Sequence, residues 1–348
     1  MPQTVSVSEL ADIVARIFVR DGVSQDNAIP LVGTVVAAER DGSLSHRLLR
    51  LPGYVATLKS GWVDGRAVPV VIDAAPGLVA TDAADSFAQF AQPALHASAP
   101  LLRDKARHQG IATVAIRDSH HFAALWPDIE PFADQGFIAL AMVNGRQRVS
   151  VWGGTRKVLG TNPMAFACPR PGHKPLVWDQ ASSVMAQGEV LLAAERGLAL
   201  PEGVGLDSDG RATTDPRAVL DGGTLLPFGG HKGASIAFMI EILAGALTGG
   251  CFGFEDRSGE FPGAQTPKAG QVVILIDPAR VPHNRYFERI EPLFAALAAS
   301  GVERFPAERR YARREHSLRH GIVVSDRSLA ACSGCSPDLP NGGGQRKT

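Results

Sequence analysis

From residue 68 onward the hydrophobic pattern of this chain changes period, and that change limits the folds open to it. Before it, Leu10, Ile13, Val14, Ile17 and Phe18 recur at the helical repeat behind Ser8-Glu9, where the glutamate stands close to the capping-box position. A second helix is expected over residues 27–39, closed by Asp41-Gly42. After it come short β-branched runs at 68–72 and 111–116, separated by a helical stretch at about 93–109. Further strands are expected at 137–143, 164–167, 176–178 and 272–276, with helices at 182–194, 233–247 and 285–298. Strands alternating with helices predict an α/β or α+β domain built on a mixed sheet, behind a mainly helical first 65 residues or so. At 348 residues and 45% hydrophobic content there is room for two domains, or for one large domain with a smaller appendage. Residues 325–348 show little periodic hydrophobicity and are expected to form a disordered tail.

Lys plus Arg equals Asp plus Glu at 35 each, so no long-range field favours nucleic acid or an anionic membrane, and small molecules or copies of itself are the expected partners. The first residues lack the basic and apolar regions of a signal peptide, and nowhere do 18 apolar residues run unbroken. A soluble, cytoplasmic protein is expected. Cys332-Ser333-Gly334-Cys335 is a lone C-x-x-C without the second pair a zinc ribbon needs, and Cys168 and Cys251 stand isolated. Free thiols and no metal are the expectation.

Four polar clusters interrupt the apolar chain. In Ser45-His46-Arg47-Leu48-Leu49-Arg50, His46 and Arg50 stand four apart, so a helix would set a proton-exchanging group beside a carboxylate clamp. A surface histidine near an arginine is the commoner meaning of such a pair, and Pro52 predicts that the helix ends or kinks between Arg50 and Tyr54. Asp118-Ser119-His120-His121 follows the 111–116 strand at its carboxyl end, where ligands of open sheets collect. No third ligand at motif spacing supports a metal there. Gly160-Thr161-Asn162-Pro163 is a turn by residue type. Pro227-Phe228-Gly229-Gly230-His231-Lys232-Gly233 opens an apolar helix, and is either an anion-friendly helix start or a flexible turn with a solvated lysine. No G-x-G-x-x-G follows a strand and no phosphate loop of the G-x-x-x-x-G-K-[ST] type exists. Asp179, after another strand, or Glu189, about two turns into the 182–194 helix, could orient an imidazole; an exposed carboxylate is the plainer reading of Glu189.

Taken in order, Ser45-His46-Arg47-Leu48-Leu49-Arg50-Leu51-Pro52-Gly53-Tyr54, Ser119-His120-His121-Phe122-Ala123, Gly160-Thr161-Asn162-Pro163, Asp179-Gln180-Ala181-Ser182-Ser183 and Gly229-Gly230-His231-Lys232-Gly233 resemble the motifs of the malate/L-lactate dehydrogenase family that does not use a Rossmann fold. That family also contains ureidoglycolate and sulfolactate dehydrogenases. The resemblance spans about residues 6–323. Glu241, His231 and the stretch from Ser119 to Trp126 are most similar to its Δ1-piperideine-2-carboxylate/Δ1-pyrroline-2-carboxylate reductases, malate-type members more often having Tyr where His231 stands. Arg47 and Ala123 replace family glycines, and Ser182 replaces a threonine.

The resemblance implies a malate/sulfolactate-dehydrogenase-like α/β (mixed) fold: a helical region at 1–68 making substrate and dimer contacts, then a mixed-sheet NAD(P)-binding and catalytic domain at 69–324 whose C-terminal part packs back on that region. It implies NADPH-dependent reduction of a cyclic imino acid to L-pipecolate or L-proline, with NADH as the other cofactor and a homodimer as the working form. His46 would be the proton donor, Ser45 and Glu189 its relay, Arg50 the grip on the substrate carboxylate and Thr161 a substrate contact. The cofactor would run along His120, His121, Phe122, Ala123, Ala124, Asp179, Gln180, Ala181, Gly230 and His231, close to Lys232, and past His283, Asn284 and Arg285. Two readings compete: an NAD(P)-dependent 2-hydroxy-acid dehydrogenase of malate, lactate or ureidoglycolate type, and a catalytically silent oligomeric scaffold.

Overall fold

Ser6 rather than Ser8 sets the first helix. In the computed structural model, which describes residues 3–43, 46–83, 89–283 and 285–324, strand β1 (Gln3–Val5) leads into α1 (Val7–Arg20). Ser6 Oγ accepts the Glu9 N–H at 3.1 Å and the Ser6 N–H donates to the Glu9 carboxylate at 2.7 Å, a reciprocal capping box. Ser24 caps α2 (Gln25–Arg40) in the same way on one side. A 3-10 turn, Leu48–Arg50, then runs into α3 (Leu51–Lys59). Pro52 therefore begins a helix where the sequence predicts an end: in a first turn its missing N–H has no helical partner to lose. These elements enclose one core around Leu10, Phe18, Leu31, Val35, Leu51 and Tyr54.

The main sheet is built from β2 (Val70–Ala75), β3 (Leu78–Asp82), β4 (Gln89–Phe90), β5 (Ile111–His120), β6 (Ile138–Val143), β7 (Met164–Cys168), β8 (Leu176–Gln180) and, from far downstream, β12 (Ala269–Ile276). Its order is β2-β3-β5-β12-β6-β7-β8, with β4 beside β5. Only β3 and β4 run parallel to β5; every other pairing is antiparallel. This is a mixed sheet, unlike the parallel one of a Rossmann domain. Helices α4 (Ala91–Gln109) and α5 (Trp126–Asp134) cover one face, where Leu102, Ile129 and Phe132 meet Val273 and Leu275. On the other, Val272 and Met142 meet Ile240 and Ala244 of α8 (His231–Ile240) and its π-helical continuation Glu241–Ala246. Covered on both faces, β12 reads as an unbroken apolar run from Val272 to Ile276.

Between β8 and α8 stand α6 (Gln187–Arg196), α7 (Pro216–Leu220) and a small sheet of β9 (Gly205–Leu206), β10 (Ala212–Thr213) and β11 (Thr224–Leu225), with a core of their own at Val149, Val190, Leu200 and Val219. Helix α6 starts at 187 and not 182, because Ser182 is committed elsewhere: its N–H donates to Thr161 O at 2.7 Å and its hydroxyl to Asn162 O at 2.6 Å. Beyond β12 come α9 (Tyr286–Ala299), α10 (Glu308–His320) and β13 (Ile322–Val324). Strand β13 pairs antiparallel with β1, and Ile322 and Val324 join the N-terminal core. The expectation of a disordered tail at 325–348, and with it Cys332 and Cys335, lies outside the described residues. Among the described residues no helix is long and apolar enough to cross a membrane.

Candidate active site

A cleft of about 590 Å³ gathers His46, Arg50, Thr161, Asp179, Gln180 and Glu189 around one space, with Ala123, Ala124 and Ala181 also in its wall. Helical spacing does not bring His46 and Arg50 there. His46 stands in a turn after α2, its N–H donating to Ser43 O at 3.1 Å, and Arg50 closes the 3-10 turn that follows. The Glu39 carboxylate pins that turn from within by accepting the Leu48 N–H at 2.9 Å. The Arg50 guanidinium lies 4.9 Å from the centre of the Phe122 ring, which itself packs edge-on against Tyr54. Phe122 thus supports Arg50 from outside the cleft lining. Burial first, then the positive charges of Arg50 and His121, pull the His46 pKa down to about 3.

Thr161 is presented by a turn that a buried carboxylate holds. Asn162, fully buried at φ +33°, donates from Nδ2 to Ala237 O at 2.8 Å and to Glu241 Oε2 at 2.7 Å. The other Glu241 oxygen accepts from Asn144 Nδ2 at 3.1 Å and from the Gly253 N–H at 2.7 Å. Gly160 has to be glycine, since a Cβ there would meet Asn162 Oδ1 at 2.4 Å and Gly145 O at 2.6 Å. Glu241 enters the sequence reading only as a mark of resemblance; its signal was a lone carboxylate inside an apolar helical run.

Asp179 lies within β8 rather than after it, and one of its oxygens accepts the N–H groups of Leu125 and Trp126 at 3.0 and 3.3 Å, capping α5. Burial raises its pKa, against the pull of Arg310 and those two N–H groups. Glu189 is not two turns into its helix but at the third position of α6, where its carboxylate accepts the Ala186 N–H at 3.0 Å while lining the cleft. Ser43, Gln187 and Phe228 also line it and were not singled out as site residues, although Phe228 belongs to the Pro227–Gly233 cluster.

The other expected positions lie outside the cleft lining. Strand β5 extends through His120, so the Asp118-to-His121 cluster ends a strand and does not follow one. His120 is fully buried, its Nδ1 2.6 Å from Thr266 Oγ1, and His121 pairs with Asp128 at 2.8 Å. Gly230, His231 and Lys232 are exposed at the start of α8, and Gly229 and Gly230 take φ of +56° and +62° to turn into it. His283 and Arg285 line a separate cavity of about 560 Å³ with Tyr286 and Arg289. Ser45 and Asn284 lie outside the described residues. Arg47 does not belong to the cleft lining; it lies 3.8 Å from Glu39 on the wall of another cavity.

These residues fit a nicotinamide dinucleotide. The cleft holds a histidine and an arginine beside the small side chains of Ala123, Ala124 and Ala181, and the exposed Lys232 at the start of α8 offers a positive charge to a phosphate.

The model of the malate/L-lactate dehydrogenase family matches residues 5–332. The chain belongs to that family. It is accordingly an oxidoreductase that works with a nicotinamide cofactor, and its mixed sheet is the non-Rossmann fold expected of a family member. It is 51% identical, over 94% of both chains, to the Δ1-pyrroline-2-carboxylate/Δ1-piperideine-2-carboxylate reductase of Pseudomonas syringae pv. tomato. The crystal structure of the Δ1-piperideine-2-carboxylate reductase from that organism superposes with a TM-score of 0.93 at 50% identity, covering 96% of this chain and 100% of that one. This chain is also 38% identical, over 90% of its length and 92% of the relative's, to the (2R)-3-sulfolactate dehydrogenase (NADP+) of Chromohalobacter salexigens.

Proposed function

We propose that this protein reduces Δ1-piperideine-2-carboxylate, Δ1-pyrroline-2-carboxylate or both to L-pipecolate and L-proline, with NADPH as the reductant. The observation that carries the reading is the opening of His46 and Arg50 into one cleft with Thr161, in a chain about half identical to reductases of that name. Arg50 offers a fork of N–H donors that matches the ring carboxylate and fixes which face of the C=N bond is presented. A bound nicotinamide cofactor supplies the hydride to the carbon of that bond. The π electrons pass to nitrogen, and a proton delivered through His46 completes the amine.

The low pKa of His46 sets a condition on this role. Burial and the Arg50 charge keep the ligand-free ring neutral near pH 7. A substrate carboxylate on Arg50 cancels that neighbouring charge, so the ring's proton affinity rises when substrate is in place. Glu189 in the wall of the same cleft is the relay acid of this reading, with Ser45 as its partner. Ala123, Ala124, Asp179, Gln180 and Ala181 in the cleft wall, with Gly230, His231 and Lys232 at the exposed start of α8, would hold the cofactor. The homodimer expected of this reading has apolar surface to pair through: Trp152, Phe238, Met239 and Ile242 are all well exposed.

NADPH oxidation followed with the two cyclic imines, pyruvate, oxaloacetate and 3-sulfopyruvate tests the assignment. Turnover of the imines is expected; turnover of the keto acids alone would establish the 2-hydroxy-acid reading, which the sulfolactate relative keeps in view. His46→Ala should lower kcat by about 10² or more if the ring is the general acid. An unchanged rate would remove His46 from the chemistry and leave the substrate assignment to the panel.

A further inference from the structure

On the far side of Glu189 from the catalytic cleft lies a second cavity, of about 720 Å³. Five arginines reach its wall: Arg47, Arg196, Arg309, Arg310 and Arg313. They come from three places in the chain, the turn after α2, the last turn of α6 and the first turns of α10. The two carboxylates on the same wall are already engaged. Asp41 accepts from Arg40 and Arg314, each at 2.6 Å, and Glu189 holds the Ala186 N–H. Arg47 has Glu39 at 3.8 Å, but Arg196, Arg309, Arg310 and Arg313 make no ion pair among the described residues.

Arg310 is the most constrained of these. Its guanidinium lies over the Trp126 ring at 4.2 Å and donates from Nη2 to Val177 O at 3.0 Å, while Nη1 is buried and meets no acceptor among the described residues. A buried guanidinium nitrogen without an acceptor is costly to keep, and like charges gathered on one wall repel one another unless something negative enters. Gly42 at φ +75° leaves the passage for Arg313, since a Cβ there would stand 3.2 Å from its Cγ.

We propose that this cavity is a binding site for a phosphate-class dianion, distinct from the catalytic cleft and separated from it by Glu189. Guanidinium groups bind phosphate oxygens through paired N–H donors, and the five arginines on this wall outnumber its two carboxylates, both of which are already engaged. Two sources share this chemistry, free phosphate and a phosphate group of the cofactor, and binding experiments separate them. Calorimetric titration with inorganic phosphate, in chloride of matched ionic strength, should show binding to the wild-type protein. The Arg309→Gln/Arg313→Gln double variant should lose at least tenfold in affinity, and Arg196→Gln, on a different element, should also weaken it; circular dichroism checks that each remains folded. If saturating NADPH but not NADH abolishes the arginine-dependent binding, the occupant is the cofactor's phosphate. If neither does, it is free phosphate. No phosphate binding to the wild type, or equal affinity in the folded double variant, overturns the site.

Discussion

Asn162 holds a backbone angle of φ +33° that few side chains adopt, and what keeps it there is Glu241, itself only 4% exposed. The carboxylate accepts from Asn144, Asn162 and the Gly253 N–H, so it joins the loops at 144, 162 and 253 at the point where α8 turns π-helical. Such π segments lengthen the turn by one residue and often adjoin functional sites. Glu241→Gln exchanges one acceptor for an amide donor that must face either Asn162 or the Asn144 and Gly253 donors. An unmet buried donor costs about 1–3 kcal/mol, and the Thr161 neighbour should shift with its turn. A lower thermal midpoint together with a raised KM for the imine is therefore expected; a variant with both values unchanged would show that the turn holds itself. His46 and Arg50 were legible as candidates because proton exchange and carboxylate binding restrict the side-chain types, whereas Thr161 read only as part of a turn and entered through the resemblance. How they meet was not legible, since a turn and a 3-10 segment leave no periodic trace and Pro52 reads equally as a helix start or a helix stop.

Helix α10 shows why an element can escape a reading based on apolar period. Of its residues only Tyr311 and Ser317 are buried, and its docking is ionic: Arg314 donates to Asp41 at 2.6 Å and to both Glu130 oxygens at 2.7 and 2.8 Å. That one guanidinium joins α10 to the end of α2 and to α5. Helix α5 was missed as well, being short and carrying Pro127 and Pro131, with its start capped by Asp179 from a distant strand. By contrast α1, α2 and α4 were legible, because each lays a helical apolar face on a core. Arg314→Met removes the cation shared by two buried carboxylates, Asp41 at 3% and Glu130 at 5% exposure, leaving Asp41 with Arg40 and Glu130 without its ion pair. Breaking a buried pair from one side costs roughly 3–5 kcal/mol. Denaturant unfolding should show a loss of that order, partly restored by pairing Arg314→Met with Glu130→Gln; a loss below about 1 kcal/mol would make the network a surface feature.

At the scale of the molecule, β12 enters from residue 269 between β5 and β6, and β13 returns to pair with β1, so both ends of the described chain close one structure. A local pattern identifies β12 as a strand but carries no information on the partners it inserts between. The closure buries His120 completely between Thr266 near β12 and the rings of Trp62 and Phe90, and burial first, then the Lys268 charge, lowers its pKa to about 3 against the Thr266 hydrogen bond. In the unfolded chain the ring takes up a proton near its ordinary value of 6.5, so between about 6.5 and about 3 the unfolded state binds more protons and stability falls as pH drops. The slope from this ring is at most about 1.4 kcal/mol per pH unit. Buried carboxylates with raised pKa, Glu39 and Asp179 among them, act in the opposite direction, so the ring is isolated only by difference. Denaturant titrations of wild type and His120→Gln at pH values from about 7.5 to 4.5 supply that difference: the wild type should lose stability more steeply on acidification, by roughly one proton's worth of slope. Parallel curves would mean that His120 can hold its charge inside the fold, and that the interior around β12 is more polar than its packing shows.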